Sequence, residues 1–299
     1  MAGRVLRVNR HSSERGRWEM VHAAPATPLW PHVRRYCGYS ERSAEPVRRS
    51  ELPGSLVTVI LSLGPTIEVA EPATRARSPQ RLGSFVAALH DRPATTAYTG
   101  EQHGLEVNLD PCAAHGILGV PMHELTGRAI ELTDVLEGAD RRLPERLQDE
   151  PTWKARFALL DCFLGARLEA AREPPPELAL AVSRLRRSGG GAPIAALARE
   201  AGWSQRRLVR GFREQVGMHP KGFARLLRFE RVIRRLHAEG GAALGDIALD
   251  CGYYDQSHLN RDFRQFAGVS PTRYVARMMP DGGGVAAGDF VQDPAYEAA

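Results

Sequence analysis

Residues 251–279 read CGYYDQSHLNRDFRQFAGVSPTRYVARMM, and residues 201–229 read AGWSQRRLVRGFREQVGMHPKGFARLLRF. The two stretches render one pattern. At an offset of 50, Leu197, Ala198, Gly202 and Trp203 fall on Ile247, Ala248, Gly252 and Tyr253. Past the turn the offset is 51, and Leu208, Arg210, Phe212, Gly217, Pro220 and Phe223 meet Leu259, Arg261, Phe263, Gly268, Pro271 and Tyr274. One extra residue therefore sits in the second copy's turn. A repeat of fixed period is one supersecondary unit used twice.

The first copy defines the unit. PIAALARE starts a helix at Pro193, with Ile194, Leu197 and Ala198 on one face. Gly202 supplies the positive φ of a tight turn, and Ser204 is a good N-cap for the next helix. In that helix Leu208 and Phe212 point inward, while Gln205, Arg206 and Arg210 lie elsewhere on its surface. Helix, glycine turn and second helix make a helix-turn-helix, whose second helix enters the major groove of DNA. In the second copy Asp246 is placed to cap the first helix and Asp255 the second. Leu259 and Phe263 pack down; Gln256, Ser257, Asn260 and Arg261 project outward. An ordinary solvated face would explain these polar side chains in one copy alone. Two copies in register favour DNA reading.

Between the copies, PKGFARLLRFERVIRRLHAEG carries an apolar stripe of Phe223, Leu226, Leu227, Ile233 and Leu236 up to a Gly-Gly stop. About 18 residues of helix span roughly 27 Å, and successive major-groove openings lie about 34 Å apart. Such a rod could set two reading helices one DNA turn apart. Of its arginines, 225, 228, 231, 234 and 235, one or two are expected on phosphate.

Charge follows the same division. Residues 177–279 hold 18 Lys/Arg against 9 Asp/Glu, a net of +9; the remainder holds 22 against 26, a net of −4. A basic module joined to a mildly acidic one suits a polyanion-binding domain attached to something else. An arginine-rich composition alone would give the same excess.

Residues 177–279 resemble the AraC/XylS family of bacterial transcription regulators. The family's second unit reads GYxDQSHxxRxFxxxxGxSPxxYR, met here by Gly252-Tyr253, Asp255-Gln256-Ser257-His258, Arg261, Phe263, Gly268, Ser270-Pro271 and Tyr274. In the first unit Met218-His219-Pro220 departs from the usual Ser-Pro step. The resemblance implies that Ser204, Gln205, Arg206 and Arg210, then Gln256, Ser257, Asn260 and Arg261, form the DNA-binding set. It also implies that Tyr254 is structural and that RNA polymerase is a partner.

The N-terminal part shows short β runs in GSLVTVILSLG, TIEVA, GSFVAALHDRP and HGLEVNLDP, bounded by Gly, Pro and Asp. Helical segments follow, through CAAHGILGV and PMHELTGRAIEL to PTWKARFALLDCFLGARLEAAR, which Pro151 starts. There Trp153, Phe157, Leu160, Phe163, Leu164 and Leu168 recur at helical spacing, as core or as a dimer seam. ELPG, GSFVAALHDRP and QHGLEVNLDP make this part similar to the sensor half of actinobacterial AraC-like regulators. That resemblance implies an α+β chain with an N-terminal cupin-like β-barrel, trailing helices that dimerise, and a C-terminal all-α tandem helix-turn-helix. The expected divisions are 1–171 for effector sensing and dimerisation, 172–176 as a Pro-rich linker (REPPPE,), 177–279 for DNA binding, and 280–299 as a disordered tail.

Bulk composition, 43% hydrophobic and 25% charged, fits a soluble globular protein with a sizeable core. No signal peptide and no membrane span is expected. Cys37, Cys112, Cys162 and Cys251 are scattered without a C-x-x-C, so reduced cytoplasmic thiols are expected. His90, His103 and Glu106 are the candidates for lining an effector pocket. With Asp91 they show no metal-ligand spacing, so neither metal nor cofactor is expected. The sharper enzymatic alternatives are a cupin-type metal enzyme and a DNA-repair methyl-acceptor domain. Pro111-Cys112 suits the latter, but Ala113-Ala114-His115 follows in place of the Pro-Cys-His-Arg run that activates the thiolate. The reading is a non-enzymatic, effector-responsive regulator that binds double-stranded DNA, with a homodimer in prospect.

Overall fold

The structure, a computed structural model, describes residues 4–13, 16–71, 79–238 and 243–277. The expected tail of 280–299 and the Gly-Gly stop lie outside the described residues. The N-terminal half is an antiparallel sheet of β1 (Arg4–Ser13), β2 (Gly16–Ala24), β3 (Val33–Glu51), β4 (Val57–Ser62), β5 (Ile67–Ala70), β6 (Gln80–Leu82), β7 (Phe85–Ala87), β8 (Ala94–Leu109) and β9 (Ala129–Glu131). Its order is β1-β2-β3-β8-β4-β7-β9, with β5 joining β6 to β8.

One face of this sheet is apolar. Val57, Val59 and Leu61 alternate inward along β4, and Leu105, Val107 and Leu109 do so opposite them on β8. The helices that follow are α1 (Pro111–Leu118), α2 (Met122–Leu125), α3 (Leu132–Val135), α4 (Leu143–Asp149) and α5 (Trp153–Ala170). Among them α5 buries Phe157, Leu160 and Leu164. Phe157 stacks on Tyr36 at 5.7 Å, and the Tyr36 hydroxyl donates to Asp161 at 2.9 Å. Gly38 is required here, because a Cβ would run into the Trp153 ring. Each fully buried side chain of this stripe contributes roughly 2 kcal/mol. The aromatic stripe is therefore spent on the chain's own sheet, leaving Lys154, Cys162, Ala166 and Glu169 outward. The helix starts at Trp153 rather than Pro151, since the Thr152 hydroxyl accepts from the Ala155 amide at 3.2 Å and sets the boundary.

The C-terminal half is helical: α6 (Pro176–Arg187), α7 (Ile194–Glu200), α8 (Gln205–Gln215), α9 (Pro220–Ala238), α10 (Leu244–Asp250), α11 (Gln256–Ala267) and α12 (Pro271–Arg277). Among the described residues, no helix is long and apolar enough to cross a membrane.

The halves share one core and several polar contacts. The Ser55 amide donates to Glu230 at 2.6 Å, and Arg186 reaches the Ser55 carbonyl at 2.9 Å and Asp110 at 3.3 Å. The Thr126 hydroxyl donates to the Gly217 carbonyl at 3.0 Å. The Gln265 amide donates to Asp91 at 2.8 Å.

Candidate nucleic-acid interface

The repeat in the sequence is a repeat of hydrogen bonds. After α7 the Trp203 amide donates to Ala198 at 2.9 Å, and Gly202 takes φ +62°. After α10 the Tyr253 amide donates to Ala248 at 2.9 Å, and Gly252 takes φ +80°. These are the same bonds 50 residues apart, and in both turns only glycine adopts the backbone freely. Beyond the turn the offset of 51 takes over. Ser204 Oγ accepts from the Arg207 amide at 3.2 Å, and Asp255 Oδ1 accepts from the His258 amide at 2.7 Å. Phe212 packs on Phe223 at 6.3 Å, and Phe263 on Tyr274 at 5.5 Å. The Phe223 amide donates to His219 and the Tyr274 amide to Ser270, at 3.0 and 2.9 Å. The Met-His-Pro departure therefore leaves the backbone turn of the first unit in place.

The extra residue of the second turn is Tyr254, and it is 87% exposed. It packs against nothing in the core, which corrects the structural role implied for it. Asp246 is corrected as well. The N-cap of α10 is Ala243, with no side-chain bond, and Asp246 sits inside the first turn, where its charge favours the helix dipole.

The polar positions of both reading helices lie as follows. Ser204, Gln205, Arg206 and Arg210 are exposed around α8, above buried Leu208 and Phe212. Gln256, Ser257 and Arg261 are exposed on α11; Asn260 is half-buried, above buried Leu259 and Phe263. Arg207, not singled out from the sequence, stacks over the Trp203 ring at 4.3 Å. Its guanidinium is positioned at the start of α8 by a cation–π contact.

The arginines of α9 make bonds within the protein. Arg225 forms a two-pronged pair with Asp262, at 3.1 and 2.8 Å, and a 2.7 Å bond to Gln265. The hydrogen bond to Asp262 holds its guanidinium above the usual range. Arg228 lies over the Tyr253 ring at 5.5 Å and donates to Gly190 at 3.2 Å. Arg231 donates to the Asp250 carbonyl at 2.7 Å, and Arg235 pairs with the Asp250 carboxylate at 2.9 Å. These four tie the rod to the second unit and to the loop before the first. A protein-internal pair and a phosphate contact look alike in sequence, because both require only an arginine on a helix.

The candidate effector trio is not brought together. His103 and Glu106, three apart on β8, point to opposite faces. His103 faces α5, 5.2 Å from the Trp153 ring and 3.3 Å from Arg156, and burial lowers its pKa. Glu106 faces the other side, bonded by Arg35 at 3.1 Å. His90 lies beyond β7, its Nδ1 2.5 Å from the Arg92 carbonyl oxygen. Among the described residues no group of three or more His, Cys, Asp or Glu is placed to hold a metal ion. Cys112 is buried in α1, and burial pushes its thiol up to about 12, the opposite of an activated thiolate.

Two helix-turn-helix units joined by a continuous helix define a DNA-binding protein of the tandem type. Comparison agrees: residues 197–277 match the family described as helix-turn-helix domain, and residues 21–131 match a domain of unknown function, DUF6597. Residues 197–277 are therefore a helix-turn-helix domain of the AraC type. No curated protein matches the chain. Among solved structures it is similar to ToxT from Vibrio cholerae, with 11% identity over 81% of this chain and 97% of that one, at a TM-score of 0.44. It is also similar to the C-terminal domain of AraT, a response regulator from Geobacillus stearothermophilus, with 20% identity over 37% and 93% of the two chains and a TM-score of 0.34. The DNA-binding domain of AdpA, solved with a target DNA, gives 26% identity over 34% and 92% and a TM-score of 0.32.

Proposed function

We propose that this chain is a DNA-binding transcription regulator of the AraC family, that it responds to a small-molecule effector bound by its N-terminal half, and that it has no catalytic activity of its own. Gln205, Arg206 and Arg210 of the first unit, and Gln256, Ser257, Asn260 and Arg261 of the second, read two successive major-groove segments. Ser204 caps the first reading helix beside them. The observation that carries the reading is the duplication itself: matched turn bonds, matched caps and matched aromatic pairs leave both reading helices with exposed polar starts. A single such helix could be an ordinary solvated face; a duplicated one on a basic module fits DNA.

The N-terminal half supports a coupling role because it touches the two units at equivalent points. Gly217 and Gly268, 51 residues apart, end the two reading helices at φ +90° and +71°. A Cβ on Gly217 would overlap Thr126 Oγ1, and one on Gly268 would come within 3.3 Å of Pro93. A ligand acts only by favouring one arrangement of these contacts over another. The same reading includes RNA polymerase as a partner, self-association and a cytoplasmic location. The test is binding of the full chain to a random duplex pool at several salt concentrations. Selected sites should be bipartite, and affinity should fall steeply with salt. A flat salt response, or enrichment of a single short block, would overturn the groove-reading picture.

A further inference from the structure

The second face of the sheet carries polar groups where a core would be expected. Arg35, Cys37, Tyr39 and Glu41 of β3 stand directly opposite Asn108, Glu106, Gly104 and Gln102 of β8. The strand then folds back at the irregularity between Ser43 and Val47. Glu41 and Arg49 lie eight residues apart, roughly 26 Å in a straight strand, yet their side chains meet at 2.5 Å. The Tyr98 hydroxyl donates to the same Glu41 carboxylate. Curling therefore encloses this polar face: the Glu41 side chain keeps 5% of its exposure.

Two polar atoms inside the curl have no hydrogen-bond partner among the described residues, the Tyr39 hydroxyl and Gln102 Oε1. Gln102 is 2% exposed. Its Nε2 donates to the Pro65 and Thr66 carbonyls, at 3.2 and 3.4 Å, which fixes which end of the amide is left over. A buried unpaired polar atom is costly; Gln102 Oε1 calls for a ligand that supplies a hydrogen-bond donor, and the Tyr39 hydroxyl, which can donate or accept, for a second polar contact.

The charges narrow the class. Arg49 serves Glu41, and Arg35 serves Glu106. A third carboxylate, Glu51, receives the Thr96 hydroxyl at 2.7 Å. On β3 and β8, three carboxylates thus face two guanidiniums, and His22 of β2, opposite Cys37, is buried on the same face. Burial holds Glu51 above the usual carboxylate range, although the Thr96 bond and Arg49 act the other way. Among the described residues no group of three or more His, Cys, Asp or Glu is placed to hold a metal ion. The opposite, apolar side of the sheet encloses a cavity of only about 20 Å³, lined by Val59, Leu61, Val107, Leu160 and Leu164 among others. That is room for about one water, too little for an effector on that side.

We propose that this enclosed face binds the effector, and that the effector is a small organic cation whose ammonium group is held by Glu51, Glu41, the Tyr39 hydroxyl and Gln102 Oε1. The proposal rests on the effector-responsive reading above and names the ligand class for it. Thermal unfolding of the full chain tests it, with ethylammonium chloride, sorbitol and sodium succinate as probes at matched ionic strength. Ethylammonium should give a saturable rise in Tm, and sorbitol and succinate none beyond their general solvent effect. Glu51→Gln keeps the side-chain shape, and Tyr39→Phe removes only an unpartnered hydroxyl. Each should unfold near the wild-type Tm without probe and weaken the amine response about tenfold. A specific rise with sorbitol or succinate, no rise with any probe, or an amine response unchanged in both variants overturns the proposal. An amine response lost in the variants but without effect on DNA affinity supports the site and counts against its role in regulation, so the two readings fail separately.

Discussion

Replacing Arg225 by Met tests whether the helix between the units is a rigid mount or only a connector. Arg225 lies on α9 and Asp262 on α11, so their pair is a direct bolt between rod and second reading helix. The Asp262 side chain is 4% exposed and Arg225 27% exposed. Met keeps most of the aliphatic stem and removes the guanidinium, which lies over the Phe266 ring at 5.3 Å. It leaves the buried Asp262 carboxyl group without its partner, a change that costs roughly 3–5 kcal/mol in comparable buried pairs. Arg225 is partly reached by water, which can replace some of what it supplies, so the low end applies: about 3 kcal/mol. With a urea dependence of about 2 kcal/mol per molar, the midpoint for this half falls by about 1.5 M. Arg225→Met/Asp262→Leu should recover most of the loss, because the penalty belongs to the stranded carboxyl group. Urea unfolding followed by far-UV circular dichroism, with Arg206→Met as an exposed control, reads the difference. A cost for Arg225→Met below about 1 kcal/mol, similar to the control, would refute the reasoning.

Three further expectations concern stability. Gly217→Ala should cost clearly more than Gly202→Ala in thermal melts. Both meet the left-handed backbone penalty of about 1–2 kcal/mol, but only Gly217 also faces Thr126 and the Met122 carbonyl, while nothing stands within 4 Å of Gly202. Equal costs would mean that the halves do not dock at Gly217. Leu259→Asp buries a charge at a position with no exposure; it should melt the second unit, and an unchanged calorimetric profile would show the wrong helix phase. The third concerns pH: burial lowers the pKa of His90, His103 and His115. The unfolded chain then binds more protons below the ordinary histidine value of about 6.5, so stability is complete above it and is lost as pH falls toward the depressed folded values. His103→Gln should flatten the fall in Tm between about pH 6.5 and 5; an unaltered slope would exclude His103 as a contributor.

The C-terminal half was legible because its determinants are local and occur twice. Glycine turns, a Ser or Asp cap and Leu-x-x-x-Phe spacing each act within a few residues, and their repetition separates signal from chance. The internal partners of the rod arginines are not legible in the sequence, because Asp262 and Asp250 lie 37 and 15 residues away from Arg225 and Arg235. In the N-terminal half, β4, β5 and β7 showed as apolar runs with an inward face. The strands β1, β2 and β3 did not. Both faces of β1 are largely exposed, and β3 turns Arg35, Glu41 and Arg49 inward, so neither carries the hydrophobic alternation that marks a strand. The polar face passed unnoticed for the same reason, since it forms only when β3 folds back beside β8. His103 was grouped with Glu106 by proximity in the chain, whereas alternation along β8 separates them.

Hydroxyl-radical footprinting of the full chain on a selected site, repeated with Arg206→Ala and Gln256→Ala, tests the tandem reading most directly. The account predicts two protected segments on one face of the duplex, about 10 base pairs apart. Each variant should lose base discrimination, by roughly 1–3 kcal/mol, in a different segment. Loss of discrimination at the same base pair in both variants, or protection on opposite faces of the duplex, would contradict it.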